Sequence, residues 1–147
     1  MEKQLITKFE YGAAKSGAAI FFLPELNCIL LEWKGDVLLE EWIEILSRGI
    51  EEITVRKVTN WIGDTTNLGA TGEEHNQWIQ QVFSPRVFKA GLKKLVVVLP
   101  NDVLGEMAMQ ELMEDLKNTA SNNDSNLQST YTNSLTEAVE WIKSAGH

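Results

Sequence analysis

The chain is predicted to fold as a single-domain α/β sandwich. Its sheet is mostly parallel, with one antiparallel N-terminal hairpin, in the order β-β-α-β-α-β-α-β-α. Three observations predict this. Two apolar runs, "AAIFFL" and "CILLEW", flank the turn-forming "PELN", which is the pattern of a hairpin. Beyond the hairpin, helical and strand-like periods alternate. The run "KKLVVVLP" is apolar without alternation, as in a central parallel strand buried on both faces.

Residues 1–17 read as an N-terminal arm, with a short strand around Ile6 to Phe9; residues 18–147 read as the folded domain. In the hairpin turn, Pro24 supplies a fixed φ and Asn27 tolerates unusual angles. Asp36 is the expected N-cap of a helix from Val37 to about Ile53; Leu38, Leu39, Trp42, Ile45, Leu46 and Ile50 follow helical spacing, and one stripe of them should face the core. A third strand is expected from about Lys57 to Gly63. Capping-box spacing at Thr71-Gly72-Glu73-Glu74 predicts a helix from Gly72. Ser84-Pro85 should interrupt that helix, because the residue before proline is pushed away from helical angles. Pro85 then opens one more short turn that Gly91 caps. Asn101 is the expected cap of a helix reaching about Asn118. "LQSTYT" reads as the last strand, and Ser134-Leu135-Thr136-Glu137 opens a C-terminal helix.

Composition bounds the function. The net charge of −8 argues against non-specific nucleic-acid binding and against an anionic lipid surface. One cysteine, Cys28, permits no internal disulfide, and with His75 and His147 it makes no recognisable zinc site. No apolar run approaches the roughly 18 residues of a membrane span, and the first residues lack a signal-peptide core. A cytoplasmic protein without cofactor or metal is expected.

The segments "LLEWKGDV" (30–37), "WIGDTTNLG" (61–69), "HNQWIQQVFSPRVFKAGLKKLVVVLP" (75–100) and "EAVEWI" (137–142) resemble the SpoIIAA-like proteins. These belong to the wider STAS (sulphate transporter and anti-sigma-factor antagonist) and CRAL-TRIO-like group. The resemblance implies a STAS-like fold with the element order above. It also implies a binding module without catalysis, in some members switched by phosphorylation of a Ser or Thr where a helix follows the third strand. CRAL-TRIO relatives instead hold lipids or other apolar ligands. The STAS phosphorylation motif is an Asp-Ser-Ser-Gly run leading directly into a helix. Here the matching residues are Asp64-Thr65-Thr66-Asn67, several residues ahead of the expected helix start.

Asp64, Thr65, Thr66 and Asn67 are therefore the candidate phospho-acceptor or partner-binding loop, at the carboxyl end of a parallel strand where ligands favour α/β sheets. The alternative is a turn in which Asp64 and Asn67 bond neighbouring backbone. Phe83, Arg86, Val87, Phe88, Met109 and Met113 are the candidate pocket or interface, a self-contact included, with Met107 read beside the other two methionines as pocket-lining; ordinary core packing is the alternative. His75 reads as a solvent-facing helix residue and Cys28 as a small core residue. No phosphate-binding Gly-rich loop with lysine is present. The function these residues predict is a non-enzymatic, possible regulatory module with a protein partner or homodimer contact. The second expectation is a carrier of a small apolar or lipid-like ligand, and the third an enzyme with an unrecognised site.

Overall fold

The computed structural model describes residues 1–144, so His147 lies outside the described residues. Six strands form one sheet in chain order: β1 (Gln4–Tyr11), β2 (Ser16–Leu23), β3 (Cys28–Gly35), β4 (Asn60–Leu68), β5 (Lys94–Val98) and β6 (Gln128–Thr132). β1–β2 and β2–β3 pair antiparallel; the remaining neighbours pair parallel. The predicted hairpin is β2–β3. Its turn is a short 3-10 segment, Pro24–Leu26, closed by Asn27 in the left-handed region at φ 47°.

Residues 1–17 are not an arm. Most of them form edge strand β1 and the reversal into β2, which adds a second antiparallel pair. Ile6, Phe9 and Tyr11 pack onto the main core, and that burial holds the strand in the sheet. The reversal is carried by Gly12, Ala13 and Ala14, all at positive φ.

The helices are α1 (Leu39–Arg56), α2 (Glu73–Trp78), α3 (Ser84–Lys89), α4 (Val103–Asn122) and α5 (Leu135–Lys143); a π turn, Ile79–Phe83, joins α2 to α3. Each crossover from β3 to β6 steps one place in the same direction. Right-handed crossovers then put all three connections on one face of the sheet. There Trp42 and Ile45 of α1, Val87 of α3 and Met113 and Leu116 of α4 meet Ile29, Leu31 and Trp33 of β3 and Leu95 of β5. The opposite face is left to α5, whose Ala138 and Ile142 pack on Leu30, Ile62, Val96 and Val98. α5 does not reach β1, and Lys8, Glu10 and Lys34 stay exposed on that side.

Three local expectations are corrected. Asp36 does not cap α1; the helix begins at Leu39, and Glu41 accepts the Leu38 N–H at 3.1 Å. Asp102, one residue after the expected Asn101, caps α4 by accepting the Gly105 N–H at 2.7 Å. Ser84-Pro85 does not break the helix. The wide π turn lets both the backbone N–H and the hydroxyl of Ser84 bond the Ile79 carbonyl, the hydroxyl at 2.8 Å, and the chain passes Pro85 still helical.

Candidate functional site

Asp64–Asn67 is strand, not loop. β4 continues to Leu68, and Gly69–Gly72 separate it from α2. Glu32 pairs with Asp64 but Lys34 with Asn67, so β4 carries one extra residue across Thr65-Thr66. The bulge sends the two threonines to different environments. Thr65 is buried on the helix-covered face and its hydroxyl donates to the Val98 carbonyl at 2.6 Å. Its hydroxyl is therefore engaged inside the fold. Thr66 is half-buried. Its N–H and hydroxyl both donate to Asp64 Oδ1, at 3.1 and 2.6 Å, an Asx arrangement closed within the strand. Asn67 is exposed beside Lys34 in a shallow depression of about 270 Å³ on the open face, whose other walls include Lys8, Phe21 and Glu32.

The chain after β4 is tied to the end of β3. The Gly69 N–H donates to the Gly35 carbonyl at 2.8 Å and the Ala70 N–H to Asp36 Oδ1 at 2.9 Å. A Cβ at Gly69 would lie 1.9 Å from that Asp36 oxygen, so only glycine fits. His75 is not a solvent-facing residue. Its Nδ1 accepts the Gly72 N–H at 3.1 Å, which leaves the proton on Nε2 to donate to the Val37 carbonyl at 2.8 Å. The ring also meets Trp42 edge-on at 5.2 Å. His75 thus caps α2 and pins it to the start of α1. Cys28 is buried, and burial pushes its thiol up to about 12, away from thiolate chemistry.

Of the residues read as pocket or interface, Phe83, Met109 and Met113 come together around an apolar cavity of about 50 Å³ between the sheet and the helices. Trp33, Trp42 and Trp61 complete its aromatic wall; Trp33 stacks on Trp42 at 4.6 Å and Trp61 meets Phe83 edge-on at 5.2 Å. A benzene-sized ligand takes a cavity of roughly 150 Å³, so this space does not hold a lipid as it stands. The Trp42 indole N–H is buried without an acceptor among the described residues. Val87 is fully buried and does not line the cavity. "FSPRVF" accordingly offers a partner only the exposed Pro85 and Arg86 and the half-buried Phe88.

Sequence reasoning pointed to the carboxyl ends of the parallel strands but missed the apolar strip exposed there. Leu38 ahead of α1, and Val103, Leu104 and Met107 at the start of α4, are all more than half exposed. They are four of the eight large apolar side chains exposed among the described residues, gathered at one edge. Beside Met107 lies a groove of about 330 Å³ between α2 and α4. Polar bonds hold its walls in register: Asn76 donates to Asp115 at 2.8 Å, Gln80 to Asn76 at 2.8 Å, and Thr119 to Gln80 at 2.7 Å. Segments 58–85 and 95–116, which contain the residues that line the groove, hold eight acidic residues and no lysine or arginine; two of the eight, Glu73 and Glu111, line it. The two segments account for the whole net charge of −8; the rest of the chain balances.

No family model matches the chain, and no curated protein matches it. Among solved structures it is similar to an uncharacterised protein of the DUF3478 family with a SpoIIAA-like fold, from Shewanella loihica PV-4. The TM-score is 0.51 at 12% identity, over 97% of this chain and 96% of that one. The two share a fold: the architecture is SpoIIAA-like, as the sequence resemblance implied. No helix among the described residues is long and apolar enough to cross a membrane.

Proposed function

We propose that this chain is a non-enzymatic protein-interaction module with a regulatory role, and that its contact surface is the carboxyl edge of the parallel sheet. The observation that carries this reading is the exposed apolar strip on the first turns of α4, Val103, Leu104 and Met107, bordering the α2–α4 groove. Apolar side chains gathered in the open mark a contact surface more often than isolated ones do. The groups that could serve catalysis are otherwise engaged: Thr65 bonds Val98, both His75 ring nitrogens bond backbone, and the Cys28 thiol is buried.

The test is photo-crosslinking inside the native host, with a photoreactive residue at position 104 or 107 and a control at exposed Val55 on α1. The reading expects one discrete crosslinked protein from 104 and 107 and none from 55. Equal, diffuse crosslinking from all three positions overturns it.

A second reading, carriage of a small apolar ligand, is favoured by one observation: the unpaired Trp42 N–H beside the cavity of Phe83, Met109 and Met113. At about 50 Å³ the cavity admits only a ligand of a few heavy atoms, one of them a hydrogen-bond acceptor. A mass present under native ionisation and lost on denaturation would support it; identical masses under both conditions would end it.

A further inference from the structure

We infer that the groove between α2 and α4 receives a basic amphipathic helix of a protein partner; the inference rests on the reading of the carboxyl edge as a protein contact surface. Gly72, Glu73 and Asn76 form one wall and Ala108, Glu111 and Leu112 the other. On α4, Leu104, Met107 and Glu111 follow i, i+3, i+7 spacing, so the exposed apolar strip and the groove lie along one helix face. An occupant lying along this face meets the apolar Leu104 and Met107 first and then the carboxylates of Glu111 and Glu73. A helix with an apolar stripe flanked by Lys or Arg matches both.

Charge selects among the occupants. With Glu73 and Glu111 on opposite walls, no lysine or arginine in the lining, and a net charge of −8 on the chain, a cationic partner is attracted and an anionic one repelled. A second copy of this chain docked by the same edge would set acid against acid. Nucleic acid and anionic membrane are repelled for the same reason. The Asn76–Asp115, Gln80–Asn76 and Thr119–Gln80 bonds hold the walls before the partner arrives, which lowers the cost of binding.

The test uses two synthetic peptides of about 18 residues, five helical turns. Both have leucines at helical spacing, one with lysines on the flanks and one with glutamates. Binding to the full chain is followed by calorimetry from about 50 to about 300 mM salt. The Leu/Lys peptide is expected to bind at least about tenfold more tightly than the Leu/Glu peptide, and to weaken as salt rises. The Leu104→Asp/Met107→Asp variant should lose at least about tenfold of that affinity, and Glu73→Gln/Glu111→Gln should flatten the salt dependence. All four side chains are exposed, so the variants should unfold at the wild-type urea midpoint; Val55→Asp is the control. Equal affinity for both peptides, Leu/Lys binding indifferent to the groove variants, or no binding overturns the inference. Should crosslinks from 104 and 107 persist in that case, the contact surface stands and only its basic, helical partner is lost. If the crosslinks are absent too, the reading beneath it falls as well.

Discussion

Lys94 Nζ lies 2.9 Å from the Ser144 carbonyl oxygen and so ties the start of β5 to the end of α5. The same ammonium donates to the Trp141 and Ile142 carbonyls at 3.1 and 3.3 Å and stands 5.1 Å over the Trp141 ring. A positive charge among the last carbonyls of a helix complements its dipole. This contact anchors the only helix, among the described residues, that covers the second face of the sheet.

Lys94→Met keeps the buried stem and removes the charged donor. Hydrogen bonds from charged groups are worth about 1.5–3 kcal/mol, and the freed carbonyls near the C-terminus can turn to water, so a loss of about 2 kcal/mol is expected. Urea unfolding followed by circular dichroism measures it, and limited proteolysis should find α5 cleaved first. A variant as stable and as resistant as wild type would mean that the apolar contacts of Ala138 and Ile142 hold α5 unaided.

Gly49→Ala sets two effects against each other. Alanine in a helix interior gains about 1 kcal/mol over glycine. A Cβ at Gly49, however, would stand 2.3 Å from Trp61 Cη2, and that ring is backed by Phe83. Overpacking costs about 1–3 kcal/mol, near the upper end where a rigid ring cannot yield, so a net loss of about 2 kcal/mol is expected. The unfolding midpoint and a shift in tryptophan emission report it; a stabilised variant would show that Trp61 moves freely.

Residues whose local pattern agreed with their tertiary partners were legible in the sequence. Leu95–Val98 is buried on both faces as its unbroken apolar run requires, and the 18–33 hairpin needed only its turn chemistry. Asp64–Asn67 was not legible. Asp-Thr-Thr-Asn has turn chemistry in isolation, yet pairing with Lys34 and Gly35 of β3 keeps the chain extended and confines the Asx bond to a bulge. Asp36 has the chemistry of a cap, but its carboxylate is claimed by the Ala70 N–H from a segment 34 residues away. The α4 strip was not legible, and Met107 faces outward while Met109 and Met113 face inward, because which residues are exposed depends on where the helix begins its turn against the sheet. His75 was misplaced because nothing local announces the Val37 carbonyl that its ring reaches.

Glu52 gives the fold an acid-sensitive element. Burial pushes its carboxyl up, but hydrogen bonds from Arg56 and Arg48, at 2.8 and 2.9 Å, together with their charge, hold it below its usual value. A folded-state value below the unfolded one adds stability above about pH 4.3, and that stability is lost as pH falls through the folded value. The Glu52→Gln variant should therefore unfold earlier than wild type at pH 7, with the gap closing as the pH falls below the unfolded value of about 4.3. Both arginines are over a third exposed, so the gap should be modest. Thermal midpoints across the pH range check this; a gap that stays constant would show that glutamine's own packing, not charge, sets the difference.

The two threonines of the bulge should separate cleanly on mutation. Thr65→Val fits the same buried volume but withdraws the hydroxyl from the Val98 carbonyl between β4 and β5, at an expected cost of about 1–2 kcal/mol. Thr66→Val removes a half-buried hydroxyl while leaving Asp64 the Thr66 N–H, and should cost below about 0.5 kcal/mol. Urea midpoints of the two variants measure the difference. A large loss at Thr66 with none at Thr65 would reverse the assignment of which hydroxyl is structural. It would also return Thr65 to consideration as an accessible acceptor, because its side chain would then have to leave the Val98 carbonyl at little cost.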